Sequence, residues 1–175
     1  MSAPKPILWA LLSPAFRLSP TPLHGIRRRI WTLCGAKVAP TTKIRPSVRC
    51  DAPWNLAAGH LTIFGDAADL RCRDHAITVG DRCVVSQYTI LATDITDPDQ
   101  PAGIPDETNR LKGPITIEDD CWVAADSLVW PGTTIAAGTV VGARATVETD
   151  LPGWRVCVGQ PARPLKERAF VPAAT

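Results

Sequence analysis

Nothing in this 175-residue chain reads as a membrane span: Ile7–Leu12 is apolar but short, and Pro14 interrupts it. A basic start, a longer apolar run and a small-residue cleavage site, which together mark a secretory leader, are also lacking. Charge of one sign is scarce, with a formal net charge of +2 and 21% charged residues, so no electrostatic footprint for nucleic acid is present. The six cysteines (34, 50, 72, 83, 121 and 157) form no CxxC pair and no metal-ligand spacing. They read as structural thiols of a chain from a reducing compartment. Only three histidines occur, His24, His60 and His75, and none follows His75. One tyrosine stands against 17 prolines and 12 glycines, a composition suited to a chain made mostly of corners. These absences leave one soluble domain with a substantial core, expected in the cytoplasm.

What is present is a period of six. From Ile117 the sequence divides into IEDDCW, VAADSL, VWPGTT, IAAGTV, VGARAT and VETDLP. Every hexad opens on a β-branched residue: Ile117, Val123, Val129, Ile135, Val141 and Val147. The fourth places (Asp120, Asp126, Gly132, Gly138, Arg144, Asp150) are mostly residues that tolerate a tight corner. Two positions before each opener stands a smaller residue, Cys121 and Ser127 among them, on the same side of a strand. Six residues rotate an α-helix by about 600°, so no helical stripe survives this period. A very short strand followed by a corner does. The expected fold is all-β, a left-handed parallel β-helix of hexapeptide repeats in which three sides make a coil of 18 residues.

The repeat sets the boundaries. Residues 1–37 are expected to form an N-terminal arm, irregular and proline-rich to residue 22, then a short amphipathic helix over His24–Cys34 with Gly35 as its C-cap. Arg27, Arg28 and Arg29 read as a solvated face of that helix. The β-helix is expected over 38–155. Val38 and Ile44 open hexads, but Cys50, Leu56, Thr62 and Ala68 lose the pattern, through irregular coils or a register slip around Pro53-Trp54-Asn55. Val79, Val85 and Leu91 restore it. Cys83 and Cys121, two residues before Val85 and Val123, read as small interior fillers. The polar stretch Asp94–Gly113 cannot continue the coil and is expected to protrude as a functional loop. Residues 156–175 form a closing segment and a basic tail, for which a helix is one reading.

Several motifs narrow the reading. Trp122–Ser127 (WVAADS), Pro131–Ile135 (PGTTI), Val140–Ala143 (VVGA) and Val158–Lys166 (VGQPARPLK) resemble the hexapeptide-repeat acetyltransferases. Pro22-Leu23-His24-Gly25, Cys34–Lys37, Ile44–Val48 and Pro53–Leu56 are similar to the colanic-acid-biosynthesis type of O-acetyltransferase. The resemblance implies a homotrimer with active sites between subunits and acetyl-CoA as donor in the groove between coils. Ala124, Ala125, Gly142 and Ala143 would let the backbone approach the pantetheine arm. Gly159, Pro161, Ala162 and Arg163 would lie near the adenosine end, Lys166 and Arg168 would meet its phosphates, and Trp122 would wall the reaction centre. Asp66, on an upstream coil, would supply an acceptor-binding group. The implied acceptor is a small sugar or glycan hydroxyl. Neither metal nor nucleic acid is expected. A zinc carbonic anhydrase on the same coil needs three close histidines, and His24, His60 and His75 have the wrong spacing. Membrane-surface contact would use Trp9, Phe16 and Arg27–Arg29, and is not expected.

One departure stands out. In the family a histidine early in the long loop takes the acceptor hydroxyl's proton, a task suited to a side chain with a pKa of about 6.5. Here the loop begins Thr93-Asp94-Ile95-Thr96-Asp97, and the histidine position falls on Thr93 or Thr96. A threonine hydroxyl is no base near neutral pH. Asp94 and Asp97 are the alternatives, with an ordinary carboxylate pKa of about 4 unless burial raises it. His60 or His75 reaching the site of a neighbouring subunit is another, and His24 reads as structural. The sequence thus supports a sugar O-acetyltransferase, with a catalytically silent donor-binding or scaffold trimer as the competing reading.

Overall fold

The computed structural model describes residues 5–100 and 109–169. The expected prolines and acids of the loop at 101–108 lie outside the described residues. Between Lys37 and Gly159 the chain winds as a three-sided coil of parallel strands, mostly two or three residues long. The first face stacks Lys37–Val38, Leu56–Ala58, Ile77–Val79, Ile115–Ile117 and Thr134–Ile135. The second stacks Lys43–Ile44, Ile63–Phe64, Val84–Val85, Trp122–Val123, Val140–Val141 and Arg155–Gly159. The third stacks Arg49–Cys50, Asp69–Arg71, Ile90–Ala92, Leu128–Val129 and Thr146–Val147.

The repeat read from the sequence is the interior column of this coil. Ile117 lies beside Val79 and Ile135, Val123 beside Val85 and Val141, and Val129 beside Leu91 and Val147. All of these are buried, as are the smaller residues two places earlier, including Cys83, Thr89, Cys121, Ser127 and Thr139. The corner at the fourth place carries positive φ at Arg82, Tyr88, Asp120, Asp126, Gly132, Gly138 and Arg144. At Gly138 (φ +71°) an added Cβ would also stand 2.5 Å from the Trp154 ring, so both conformation and space require glycine there.

The early coils are regular, and the two readings of them resolve as a register slip. Ala58 pairs with Val38, Phe64 with Ile44 and Leu70 with Cys50. The openers of the second coil are therefore Ala58, Phe64 and Leu70, not Leu56, Thr62 and Ala68. Extra residues enter twice, at a 3-10 turn over Pro53–Asn55 and again before Ile77. Both insertions sit at the same corner. Asn55 joins them by donating to the carbonyls of Cys72 (2.8 Å) and Arg73 (3.0 Å).

The N-terminal arm corrects an expectation. Residues Lys5–Leu18 form a helix, α1, despite Pro14, and His24–Leu33 form α2. Tertiary packing overrides the proline: Trp9, Leu12 and Phe16 share one face of α1 at helical spacing and pack on the core. Phe16 stacks on Trp31 at 5.3 Å, and Trp31 meets Phe64 edge-on at 6.1 Å. Arg27 is not on a solvated face; it is fully buried. The cause is the direction of the ladder. Some backbone groups of each coil bond to the next coil, as Lys43 N–H does to Thr62 O and Arg45 N–H to Phe64 O, and others turn to the coil before, where the first coil has no partner. Side chains of the arm take their place. Arg27 Nε donates to Ile44 O (2.6 Å), Arg28 to Thr42 O (2.8 Å) and Trp9 Nε1 to Cys50 O (3.1 Å). The remaining Arg27 nitrogens reach Ser19, Pro20 and Thr21. His24 Nδ1 lies 2.8 Å from Ile44 O, so this histidine is structural.

The C-terminal segment is not helical. Ala162–Glu167 folds back antiparallel on Arg155–Gly159, and Arg168 donates to the carbonyls of Asp120 and Gly138.

Two predictions follow from these contacts. Replacing Arg27 by Leu strands several buried carbonyls and should lower the unfolding free energy in urea by about 3 kcal/mol or more. Arg82 holds the Asp120 carboxyl below the usual carboxylate range through a two-pronged contact at 2.7 and 2.8 Å. That contribution is complete above the unfolded value of about 4 and fades as pH falls through the lower folded value, so Asp120→Asn should flatten the acid limb of stability against pH.

Candidate functional site

The registers define three corner columns. The first follows Val38, Ala58, Val79, Ile117 and Ile135; the second follows Ile44, Phe64, Val85, Val123, Val141 and Cys157; the third follows Cys50, Leu70, Leu91, Val129 and Val147. Each candidate side chain takes its position from the corner to which its place in the hexad assigns it.

The second corner gathers the candidate donor residues. Ala124, Gly142 and Val158 are neighbours there, joined by Ala124 N to Val141 O (2.9 Å) and Gly142 N to Cys157 O (2.8 Å). Ala125, Ala143 and Gly159 follow them one position along. Their lack of bulk leaves backbone at the surface between coils. Gly142 has no room for more, since a Cβ would stand 2.7 Å from Val158 Cγ1. Gln160 Nε2 donates to Arg144 O at 2.6 Å and ties the C-terminal hairpin to this corner. Pro161, Arg163 and Lys166 lie exposed on that hairpin. Arg168 does not join them, because it is bonded to first-corner carbonyls. Trp122 is half exposed on the second face, and its indole N–H donates to Ser86 Oγ at 2.9 Å. Ser86 went unnoticed in the sequence; its place immediately after the opener Val85 is the signal that puts it in this column. Asp66 occupies the same corner two coils upstream, about 10 Å along the axis at the usual strand spacing. It accepts from Ser47 Oγ (2.9 Å) and lies 3.7 Å from Arg45.

The loop leaves from the third corner. Asp94–Thr96 pairs antiparallel with Arg110–Lys112, so the base of the loop is a small hairpin. Thr93 is fully buried and its hydroxyl donates to Arg71 O (2.9 Å), which removes it from chemistry at the surface. Thr96 is exposed. Asp94 is bound to Arg110 Nε at 2.5 Å, and Asp97 accepts the Asp99 N–H at 3.0 Å. A cavity of about 220 Å³ opens beside the hairpin, lined by Asp51, Arg71, Arg73, Asp74, Thr93, Asp94 and Arg110. His75 sits in the insertion at this corner, whereas His60 is on the first corner, with Thr41 Oγ1 3.3 Å from its Nδ1.

The structure therefore brings the donor candidates together with Asp66, and the loop candidates together with the arginines of the cavity. It does not bring the two sets together within one chain, because they follow different faces. The cysteines are all buried and free, as fillers should be.

Comparison with known proteins identifies the family. No family model matches the sequence. A protein of Escherichia coli (strain K12), provisionally named colanic acid biosynthesis acetyltransferase WcaF, is 39% identical over 160 residues, spanning 91% of this chain and 85% of the relative. Among solved structures, a hexapeptide-repeat acetyltransferase of Vibrio cholerae complexed with acetyl-CoA superimposes with a TM-score of 0.81 at 22% identity, covering 95% of this chain and 88% of the other. A galactoside acetyltransferase in complex with coenzyme A gives 0.82 at 23% identity, covering 94% and 81%. The two structures speak for the fold alone. The identity to the Escherichia coli protein, carried over most of both chains, places this chain in the hexapeptide-repeat acetyltransferase family, as an acyltransferase.

Proposed function

We propose that the chain transfers an acetyl group from acetyl-CoA to a hydroxyl of a sugar or polysaccharide precursor. It would do so in the cytoplasm, as a left-handed β-helix assembled into a homotrimer. The observation that carries the reading is the second corner, where Ala124, Ala125, Gly142, Ala143 and Gly159 form one column of small residues beside an exposed Trp122. Such a column suits a thin pantetheine chain hydrogen-bonded to backbone, with Arg163 and Lys166 of the hairpin near its phosphates. The structural neighbours complexed with acetyl-CoA and with coenzyme A, and the colanic acid named for the Escherichia coli protein, support this donor and acceptor class. The separation of the donor corner from the loop corner supports a site completed between subunits, where the loop of one chain faces the groove of the next.

In this reading the acceptor hydroxyl loses its proton as its oxygen bonds to the thioester carbonyl carbon. The tetrahedral intermediate then collapses, the C–S bond breaks and coenzyme A leaves with a proton. Thr96 holds the position of the family histidine. Asp97 is assigned the proton-accepting role, since Asp94 is held in its contact with Arg110 at the base of the hairpin. Asp94 and Arg110 instead brace the hairpin that presents Thr96 and Asp97. Asp66, on the donor corner, is assigned to the acceptor. A carboxylate is a weaker base than imidazole, so slow turnover is the expected signature.

Two measurements test this. Calorimetric titration with acetyl-CoA should give saturable binding near one per subunit, weakened about tenfold by Trp122→Ala; no binding at millimolar donor would remove the donor reading. With a panel of sugar acceptors and thiol release as readout, Thr96→His should raise kcat by about tenfold or more and Asp97→Asn should lower it by a similar factor. Donor binding without turnover on any acceptor, unchanged by Thr96→His, would favour the silent trimer.

A further inference from the structure

The first 50 residues hold nine lysines and arginines and no aspartate or glutamate, whereas the remaining 125 hold ten basic and seventeen acidic residues. This cationic segment is also the one that carries α1 and α2. Arg27 is consumed inside the fold, and Arg28 is half-buried with Nη1 on Thr42 O, but Lys5, Arg17, Arg29, Lys37, Lys43 and Arg49 are exposed. The helix α1 is apolar on two opposite sides. Trp9, Leu12 and Phe16 face the core, while Ile7, Leu11 and Leu18, spaced by four and seven, form a second stripe that is 54%, 71% and 84% exposed. On α2, Ile26 and Leu33 are exposed with Arg29 between them. Folding accounts for the inner stripe; nothing in the described chain covers the outer one. Of the residues first suspected of surface contact, Trp9, Phe16 and Arg27 pack inward, Arg28 is half-buried and Arg29 is exposed.

We propose that this outer face of the N-terminal arm docks on an anionic lipid bilayer surface, with the leucines and isoleucines entering the headgroup boundary and Lys5, Arg17 and Arg29 of the two helices meeting lipid phosphates. Two properties select this partner. A nucleic acid would match the cations but leave protruding leucines in water. A second copy joined through the same face would bring two acid-free cationic segments together. An anionic bilayer satisfies both the charge and the apolar stripe, as interfacial helices do. No described helix is long and apolar enough to cross the membrane, so the contact is peripheral. The proposal does not rest on the acyl donor or the acceptor.

The test is flotation of the full chain with vesicles of phosphatidylglycerol and phosphatidylethanolamine, against vesicles of phosphatidylcholine alone. At about 0.1 M salt the bound fraction should be about fivefold higher or more on the anionic vesicles, and it should fall on raising salt to about 0.5 M. The double variant Leu11→Glu/Leu18→Glu should lose most of this binding with unchanged circular dichroism and unchanged mass in solution. If that variant misfolds, Arg17→Glu/Arg29→Glu, on exposed positions, should show the same loss. Equal or absent binding on the two vesicle types overturns the proposal. A drop in oligomeric mass for the leucine variant overturns it too, because the stripe would then be a contact between copies.

Discussion

The constraint on which the molecule depends is the rung-to-rung hydrogen-bond ladder. Strands of two or three residues bury too little to stand alone, and their backbone groups find partners only in the coil before and the coil after. A residue added inside a strand would turn its interior side chain outward on every later rung. Extra chain is therefore admitted only at corners. All three interruptions obey this, and all three fall at the third corner: the Pro53–Asn55 turn, the residues before Ile77, and the loop after Thr93. The hydrogen bonds of Asn55 to Cys72 and Arg73 tie two of them together.

The same constraint fixes where the candidate side chains stand. Because each face repeats on a fixed rise, the neighbours of the small residues Ala124 and Gly142 at the second corner are set by register rather than by loop packing. The hairpin at the base of the loop is fixed just as firmly at another corner. Within one chain the small residues of the second corner and the hairpin of the third corner lie on different sides of the coil and do not face each other. Trp122 illustrates the coupling: its outward place on the second face follows from Val123 pointing inward, and Ser86 on the previous coil fixes its indole.

Legibility in the sequence follows how strongly each residue's role constrains its type. The hexads from Ile117 were readable because every opener is β-branched and no insertion breaks the phase. The second coil was not, because Ala58 opens it and Cys50 closes the first, and neither residue advertises a strand. Pro14 concealed α1, although Trp9, Leu12 and Phe16 carried its spacing. Pro161 and Pro164 disguised the final strand, which tolerates them at the end of a sheet. The places of Ala124 and Gly142 at one corner were legible, because both follow β-branched openers, Val123 and Val141, that pair in the coil. The environments of Thr93 and Thr96 were not legible: the two are equivalent in the sequence, and only the structure shows the first buried and the second exposed.

Arg27 shows why side-chain type alone misled. In an isolated amphipathic helix three successive arginines belong in water. Here the first coil presents carbonyls with no preceding rung, and a guanidinium, with donors in several directions, suits that edge better than a neutral side chain would. Arg28 and Trp9 extend the same substitution to Thr42 and Cys50, so the arm acts as a missing coil written in side chains. That role fully accounts for one side of α1 and for Arg27. It leaves the opposite stripe of Ile7, Leu11 and Leu18 with no part in the ladder or the core. An apolar stripe outside the demands of the fold, on an arm without a single acidic residue, is explained by what lies beyond the chain.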